Sequence, residues 1–240
     1  MTAEIREEIS RTGPIPFDRF MELALYGAEG FYTKVGGGSA GRRGDFITSP
    51  EVGPLFGSVF ARFLDAEWKR LGAPDRFSVV DVGAGPGTFA RSVLAAEPEC
   101  ASVLDYVAVE VSAPQRERHP DRVTSLDSLP DGPITGVVVA NELLDNLPFR
   151  LAVFDGGWRE AYVAVAPDGS FAEVLSAPFD PLPAQLLPGA SIGARAPLIE
   201  RAARFVDDAR ALLAAGAVVL YPVTDLRALA DESHRFEAHY

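Results

Sequence analysis

Short apolar runs and helical apolar spacings alternate along the last two thirds of the chain. The apolar runs predict buried strands at residues 78–82, 106–111, 136–140 and 217–223, with a weaker strand near 122–125. Apolar positions at helical spacing predict helices at 87–96 and 197–215, the second ended by Gly216. Strands that alternate with helices are typical of a parallel sheet with right-handed crossovers. The pattern therefore predicts an α/β fold, a Rossmann-like sheet with helices on both faces.

The first 75 residues instead predict an N-terminal helical extension. Residues 3–11 are amphipathic, and the run FDRFMELALYG predicts a helix with Phe17, Phe20, Met21 and Ala24 on one face. A third helix is predicted to start at Pro50, because Ser49 can cap it and Glu51 complements its dipole. Its apolar positions include Leu55, Val59, Phe63 and Trp68.

The stretch before this third helix is too rich in glycine for regular structure. Residues 36–44 predict a mobile loop, followed by the sequence GDFITSPE. Such a loop is either a lid over a site or a plain surface loop, and both interpretations stay open.

Turn signals interrupt the α/β pattern after Pro148. They predict an antiparallel β insertion at about 150–176, and a proline-rich irregular crossing at 178–188. We therefore predict two domains: an N-terminal helical cap with the GDFITSPE loop at 1–75, and the sheet domain with its insertion at 76–240.

The stretch SVVDVGAGPGTFA at 78–90 combines a buried strand, a glycine turn and the start of a helix. Its glycines leave room for a ligand close to the backbone, and the N–H groups of such a turn favour an anion. The G-x-G-x-G spacing of Gly83, Gly85 and Gly87 differs from the G-x-G-x-x-G of dinucleotide sites, because Thr88 stands where the third glycine would be. The spacing resembles motif I of class I S-adenosylmethionine methyltransferases.

Glu110 stands near the end of the second predicted strand. An acid at this distance from the glycines can accept two hydrogen bonds from ribose hydroxyls. The alternative is an ordinary strand-to-helix turn beside a solvated acid. Since ligands of parallel sheets bind at the carboxyl ends of the strands, one crevice is expected to collect Gly83, Glu110, Leu126 and Asn141.

Polar residues also crowd the end of the fourth strand, in ANELLDNLPFR. Asn141, Glu142, Asp145 and Asn146 follow an apolar run, and polar groups at a buried strand end need partners. Two carboxylates there could bind a cation or accept a proton. The alternative is that Glu142 and Asp145 cap a following helix.

Composition narrows the classes of partner and site. The net charge is -12, and only Lys34 and Lys69 among the 22 basic residues are Lys. No basic stripe is present, so nucleic acid is not expected as a partner. Cys100 is the single cysteine, which excludes an internal disulfide and a Cys-cluster metal site. The N-terminus resembles no signal or transit peptide, and no apolar run could span a bilayer, so we expect a cytoplasmic protein without membrane contact.

Four segments, in this order, resemble the MidA family of S-adenosylmethionine-dependent methyltransferases: GPIPFDRFMELALYGAEGFYT, GDFITSPEVGPLFG, VVDVGAGPGTFA and ANELLDNLP. The resemblance covers about residues 13–225, and the family includes the mitochondrial complex I assembly factor that methylates a protein arginine. It implies S-adenosylmethionine as cofactor and a protein as substrate. The cofactor contacts that it implies are Asp81, Gly83, Ala84, Gly85, Gly87, Thr88, Glu110, Val111, Leu126, Asp127 and Asn141, with Asp45, Thr48 and Ser49 near the cofactor or the substrate entrance.

The same resemblance places the acceptor beside Asn141, Glu142 and Asp145. Methyl transfer from a sulfonium is an in-line displacement that needs no metal and no enzyme nucleophile, so positioning dominates. Our hypothesis is that Glu142, with Asp145 or Glu51, holds an acceptor guanidinium and biases one nitrogen toward attack.

The C-terminal part departs from the family, which usually continues into a closing hairpin after strand five. The prediction is a sheet that lacks its last two strands, with strand five near an edge that a homodimer could cover. Two functions therefore stay open: a methyltransferase, or a catalytically weak S-adenosylmethionine-binding fold that acts as an assembly partner.

Overall fold

The computed structural model of the chain describes residues 2–34 and 54–221. The predicted loop at 36–44, the predicted helix start at Ser49 and everything predicted beyond Tyr221 lie outside the described residues. The described residues form two compact units. The first comprises 2–31 and 147–203, and the second comprises 32–34, 54–146 and 204–221.

In chain order the elements are α1 (Thr2–Thr12), β1 (Ile15–Pro16), α2 (Phe17–Tyr26), α3 (Pro54–Arg70), β2 (Phe77–Val82), α4 (Thr88–Ala95), β3 (Leu104–Val109), α5 (Ala113–Arg116), β4 (Thr124–Leu126), β5 (Ile134–Asn141), β6 (Arg150–Phe154), β7 (Trp158–Val165), β8 (Phe171–Pro178), β9 (Arg195–Leu198), α6 (Glu200–Ala211) and β10 (Leu213–Tyr221). Short 3-10 helices lie at Glu99–Ser102 and Leu144–Asn146.

A parallel sheet in the order β10-β5-β2-β3-β4 forms the centre of the second unit. On one face Phe77 and Val79 pack with apolar residues of α3 and α4, and on the other Val80 and Val82 pack with Ala209 of α6. The prediction of a parallel sheet with helices on both faces is confirmed. Strand β3 lies two residues earlier than predicted, so Glu110 follows the strand instead of lying within it.

The segment predicted as one helix at 197–215 is divided among three elements. Its start belongs to β9, the helix α6 covers only Glu200–Ala211, and β10 begins at Leu213. Gly216, expected to end the helix, lies opposite Gly136 of β5, with φ of 138° and 156° respectively. A Cβ on Gly136 would collide with the carbonyl of Ser78, and a Cβ on Gly216 with the carbonyl of Gly136. Close backbone pairing therefore decides the conformation here, which apolar spacing alone does not reveal.

Helix α3 packs against the core with only two of the four apolar positions named above, Phe63 and Trp68. Phe60, Ala61 and Leu64 are buried, whereas the side chains of Leu55 and Val59 are 75% and 58% exposed. The helix carries apolar residues on several faces, so its sequence did not indicate which of them would be buried.

An antiparallel sheet in the order β1-β7-β6-β9, with β8 on β7, forms the first unit. The prediction of an antiparallel insertion is confirmed, and β1 and β9 were not predicted. Helices α1 and α2 pack on this sheet through a cluster formed by Ile5, Ile9, Ile15, Leu23 and Val163. The compact units do not follow the proposed boundary at residue 75. The N-terminal helices α1 and α2 share a core with the insertion, whereas α3 lies in the unit of the parallel sheet. Among the described helices none is long and apolar enough to span a membrane.

Candidate functional site

The carboxyl ends of four parallel strands lie in register at one edge of the second unit's sheet. The last residue of β3 pairs with the last residues of β2 and β4, and Val82 of β2 also pairs with Ala140 of β5. The residues at or just beyond these ends are Gly83, Glu110, Leu126 and Asn141. Their predicted convergence is confirmed, which makes this edge the candidate site.

The N–H groups of the glycine turn are occupied by oxygen atoms of the protein itself. The first two, at positions 83 and 84, donate to the carbonyl of Val109, and that of Gly87 donates within the turn. The N–H of Gly85 donates to Oε2 of Glu110 at 3.0 Å. All four of these donors therefore have acceptors within the protein. The anion that the turn holds is the Glu110 carboxylate.

Glu110 is fixed on all sides although it follows a strand end. Its side chain is 7% exposed, and its Oε1 accepts the N–H of Ser112 at 2.9 Å. Its own N–H donates to the carbonyl of Leu126, and its carbonyl accepts from the guanidinium of Arg116 at 2.6 Å. The alternative of a solvated acid does not hold. Because a carboxylate oxygen has a second lone pair, each oxygen can still accept a further hydrogen bond.

The conformation and the close neighbours of the turn both require its glycines. Gly83, Gly85 and Gly87 have φ of 75°, 54° and 76°, which residues with side chains rarely adopt. A Cβ on Gly83 would lie 3.1 Å from Leu143, and one on Gly87 would lie 3.0 Å from Pro120. The carboxylate of Glu110 at this turn repels a pyrophosphate but suits a ribose diol and a nearby sulfonium. The residues present therefore fit S-adenosylmethionine better than a dinucleotide.

Asp81 lies one layer beneath the turn, on the apolar face of β2 that carries Val79. Its side chain is 2% exposed, and its Oδ2 accepts the hydroxyl of Tyr106 at 3.1 Å. Burial raises the pKa of Asp81 to about 7, the Tyr106 hydrogen bond opposes this, and the charge of Glu110 adds to it. Burial, with the charge of Asp81, also raises the pKa of Tyr106 well above its usual value. The role of Asp81 as a cofactor contact stays a prediction.

The backbone at the end of β5 has an unusual conformation at Glu142. This residue has φ of 54°, in the left-handed region that costs a non-glycine residue about 1–3 kcal/mol. Its N–H donates to the carbonyl of Tyr221 at 2.7 Å, and its carbonyl accepts from Nδ2 of Asn146 at 2.8 Å. Only a three-residue 3-10 helix follows, so the segment offers no α-helix for Glu142 and Asp145 to cap.

Tyr32 joins the ends of two strands, and nothing in its sequence position indicated this. Its hydroxyl donates to Oδ1 of Asn146 at 3.0 Å, and its carbonyl accepts the hydroxyl of Ser112 at 2.8 Å. Burial raises the pKa of Tyr32 to about 12, together with the negative charges of Glu110 and Glu142. Tyr32 therefore lies within the electrostatic influence of both acids of the candidate site.

His119 contacts the backbone of the glycine turn, and its role was not predicted from the sequence. Its Nε2 lies 2.8 Å from the carbonyl of Gly85, and its Nδ1 lies 2.9 Å from the hydroxyl of Ser125. Because a carbonyl only accepts, Nε2 is the donor in this contact. His119 and Ser112 lie in loops without periodicity, so only tertiary contacts reveal them.

The remaining predicted site residues are placed as follows. Ala84 is buried in the turn, Thr88 begins α4, Val111 beside Glu110 is 59% exposed, Asp127 is exposed just after β4, Asn141 is half-buried at the end of β5, and Asp145 is half-buried in the 3-10 helix. Asp45, Thr48, Ser49 and Glu51 lie outside the described residues.

Metal-binding chemistry finds no support in the part of the chain that the structure describes. There, no three or more His, Cys, Asp or Glu side chains are grouped so that they could hold a metal ion. The carboxylate of Glu110 is instead held by two backbone N–H groups, and that of Asp81 by the hydroxyl of Tyr106.

Comparison with known proteins identifies the family to which the chain belongs. Residues 59–221 match the family described as "Putative S-adenosyl-L-methionine-dependent methyltransferase". The chain is 31% identical over 215 residues to the protein arginine methyltransferase NDUFAF7 homolog, mitochondrial, of Drosophila melanogaster, which covers 73% of this chain and 48% of the relative. The chain therefore spans about half the length of this curated relative.

Two crystal structures of related superfamily proteins from Burkholderia thailandensis share the fold. One is 34% identical with a TM-score of 0.73, over 90% of this chain and 59% of that chain. The other, bound to S-adenosyl-homocysteine, is 31% identical with a TM-score of 0.73, over 90% of this chain and 60% of that chain. The predicted class I methyltransferase fold, the MidA resemblance and the predicted cofactor are confirmed. The chain belongs to this family of S-adenosylmethionine-dependent methyltransferases.

Proposed function

We propose that the chain transfers a methyl group from S-adenosylmethionine to a protein side chain, and that this side chain is arginine. The observation that carries the proposal is Glu142, held in a strained conformation at the strand end next to the turn that binds Glu110. Strain of this kind concentrates at functional sites. The name of the Drosophila relative, a protein arginine methyltransferase, supports arginine as the acceptor.

In the second unit, cofactor and acceptor are bound at the ends of β3 and β5, which lie on either side of β2. Glu110 is pre-positioned by Gly85 and Ser112, so its free lone pairs can accept both hydroxyls of a ribose. The methyl group is supplied by the bound cofactor as part of a positively charged sulfonium. The task of the protein is then to align an acceptor nitrogen with that carbon.

Glu142 is the residue that we assign to the acceptor. A guanidinium keeps its charge in water and its lone pairs are delocalised, so attack needs one nitrogen to be held out of the plane of resonance or relieved of a proton. A carboxylate beside the acceptor favours both. Asn141 and Asp145 lie within the same strand-end segment and complete the proposed acceptor side.

The experiment uses label transfer from S-adenosylmethionine to the proteins of a lysate of the cell of origin. We expect label in protein with the unmodified chain and a loss of at least about 100-fold in the transfer rate with Glu142→Gln. Calorimetry with S-adenosyl-homocysteine is expected to give the same affinity for both proteins. Glu99→Gln, which removes an exposed carboxylate paired with Lys69, is the matched control and keeps full transfer.

Each result has a definite consequence. Binding without any transfer would replace the enzyme with the alternative, a cofactor-binding assembly partner. Unchanged transfer by Glu142→Gln would refute the role of Glu142. Acid hydrolysis of labelled protein identifies the methylated residue, and label outside arginine would refute the acceptor.

Three wider expectations are also proposals. The net charge of -12 supports a protein partner over nucleic acid, and we keep a cytoplasmic location without membrane contact, which cell fractionation tests. Among the described strands β10 is at the edge of the parallel sheet, which supports a homodimer that covers it. Light scattering at micromolar concentration would return the mass of one chain if this were wrong.

A further inference from the structure

We propose that Tyr32 and Asn146 are positioning residues that hold Glu142 in its strained conformation. The inference rests on the proposed function, because Glu142 is the acceptor-binding group there. It adds two residues, one from the GFYT segment and one from NELLDNLP, to which no role was assigned above.

A chain of hydrogen bonds carries the inference. The hydroxyl of Ser112 donates to the carbonyl of Tyr32, and the hydroxyl of Tyr32 donates to Oδ1 of Asn146. Nδ2 of Asn146 then donates to the carbonyl of Glu142, whose N–H donates to the carbonyl of Tyr221. The chain therefore begins just after β3, where Glu110 binds the turn, and ends on β10.

The geometry fixes the direction of every bond in this chain. The carbonyl of Glu142 can only accept, so Asn146 must present its NH₂ there and its oxygen to Tyr32. The hydroxyl of Tyr32 is then the donor to that oxygen. A phenol with a raised pKa keeps this proton throughout the physiological range, and burial beside Glu110 and Glu142 raises the pKa of Tyr32 to about 12.

Both peptide groups of Glu142 are thus held, which its conformation requires. A non-glycine residue with φ of 54° relaxes toward negative φ unless its surroundings prevent it. The bond from Asn146 holds the following peptide group, and the bond to Tyr221 holds the preceding one. Loss of the Tyr32 hydroxyl would remove one of the bonds that orient Asn146. This would weaken its hold on the Glu142 backbone, on which the direction of the Glu142 side chain depends.

The second contact of this segment explains why the direction matters. The side chain of Leu143, the next residue, lies beside Gly83 of the glycine turn. A rotation at Glu142 would therefore move a side chain that faces the acceptor relative to a turn that faces the cofactor. An error of about 1 Å in such an alignment is enough to slow transfer by about 100-fold.

The test uses Tyr32→Phe, Asn146→Ala and the double variant, with Tyr162→Phe of the first unit as the matched loss of a hydroxyl. With the lysate assay, we expect each single variant to lower the rate at saturating S-adenosylmethionine by at least about 10-fold while its KM for S-adenosylmethionine stays within about twofold. The double variant is expected to lose no more than the worse single variant, because both residues act through one chain. Tyr162→Phe keeps the full rate.

Hydrogen exchange gives a second readout that does not depend on turnover. The Glu142 amide is expected to exchange about 10-fold faster in Tyr32→Phe than in the unmodified chain. The amides of β2 are expected to exchange at the same rate in both proteins. If the unmodified chain transfers no label, the proposed function fails, and this exchange measurement alone decides whether the two residues position Glu142.

Three outcomes would overturn the proposal: an unchanged rate in both single variants, a weakened affinity for S-adenosyl-homocysteine that accounts for the whole loss, or additive losses in the double variant. Unchanged exchange at Glu142 would overturn it as well. Should Tyr32→Phe not fold, Asn146→Ala decides the matter by the same measurements.

Discussion

Replacement of Glu110 by Gln tests the central contact of the site, the carboxylate bound within the glycine turn. Glu110 accepts N–H groups from Gly85 and Ser112, one on each oxygen. Gln offers one oxygen, so one buried N–H loses its acceptor and faces an NH₂ group. An unsatisfied buried donor costs about 1–3 kcal/mol. We therefore expect the free energy of unfolding of Glu110→Gln to be about 2 kcal/mol lower than that of the unmodified chain.

The larger effect concerns the ligand. Loss of the charged acceptor for the ribose hydroxyls is expected to lower the affinity for S-adenosyl-homocysteine by about 30-fold, which is equivalent to about 2 kcal/mol of binding free energy. At a ligand concentration of about 100 times the unmodified chain's Kd, binding stabilises that chain by about 2.7 kcal/mol. The variant then gains about 0.9 kcal/mol. With about 3 °C of Tm per kcal/mol, the ligand raises Tm by about 8 °C and about 3 °C respectively.

The assay is thermal unfolding of both proteins with and without S-adenosyl-homocysteine, with calorimetry for Kd. Glu67→Gln is the matched control, because Glu67 is also buried and also accepts two hydrogen bonds, both from Arg70. We expect the control to lose stability and to keep the full rise in Tm with ligand. A full rise in Glu110→Gln would refute the assignment of Glu110 to the ribose.

The remaining predictions concern stability. Burial raises the pKa of Asp81 to about 7, so the folded state favours its neutral form. The stability that this preference adds is fully present below about pH 4 and is lost as pH rises through about 7. Relative to the unmodified chain, Asp81→Asn, which still accepts from Tyr106, is expected to gain about 4 kcal/mol of stability between pH 4 and pH 8 in urea unfolding, and a constant difference would contradict the raised pKa. Gly136→Ala places a Cβ against the carbonyl of Ser78 and is expected to cost at least about 3 kcal/mol, whereas Gly189→Ala, in open space, stays within about 0.5 kcal/mol; equal urea midpoints would refute the close strand approach.

The parallel sheet and the place of the site could be predicted, because they follow from local patterns. Most of the strands contain an apolar run, and Gly83, Glu110 and Asn141 lie at or just beyond the ends of such runs. What could not be predicted depends on pairing between distant segments. The capture of the Gly85 N–H by Glu110 requires the register of β2 against β3, and the strand around Gly216 requires its neighbour Gly136.

The supporting residues of the site escaped prediction for a related reason. Tyr32, Ser112 and His119 are single polar residues in loops, where no periodicity marks them. Their function lies in the atoms that they contact, and those atoms belong to other strand ends. Asn146 was noticed as a polar residue at a strand end, but its two partners were not.

The position of β10 has a consequence for biosynthesis. Strand β10 completes the parallel sheet beside β5, yet the ribosome makes β6, β7, β8 and β9 between the two. At about 5–20 residues per second, β5 waits roughly 4–16 s for its outer neighbour. Throughout this interval the nascent chain exposes the unpaired edge of an apolar strand, which can pair with another chain and lead to aggregation.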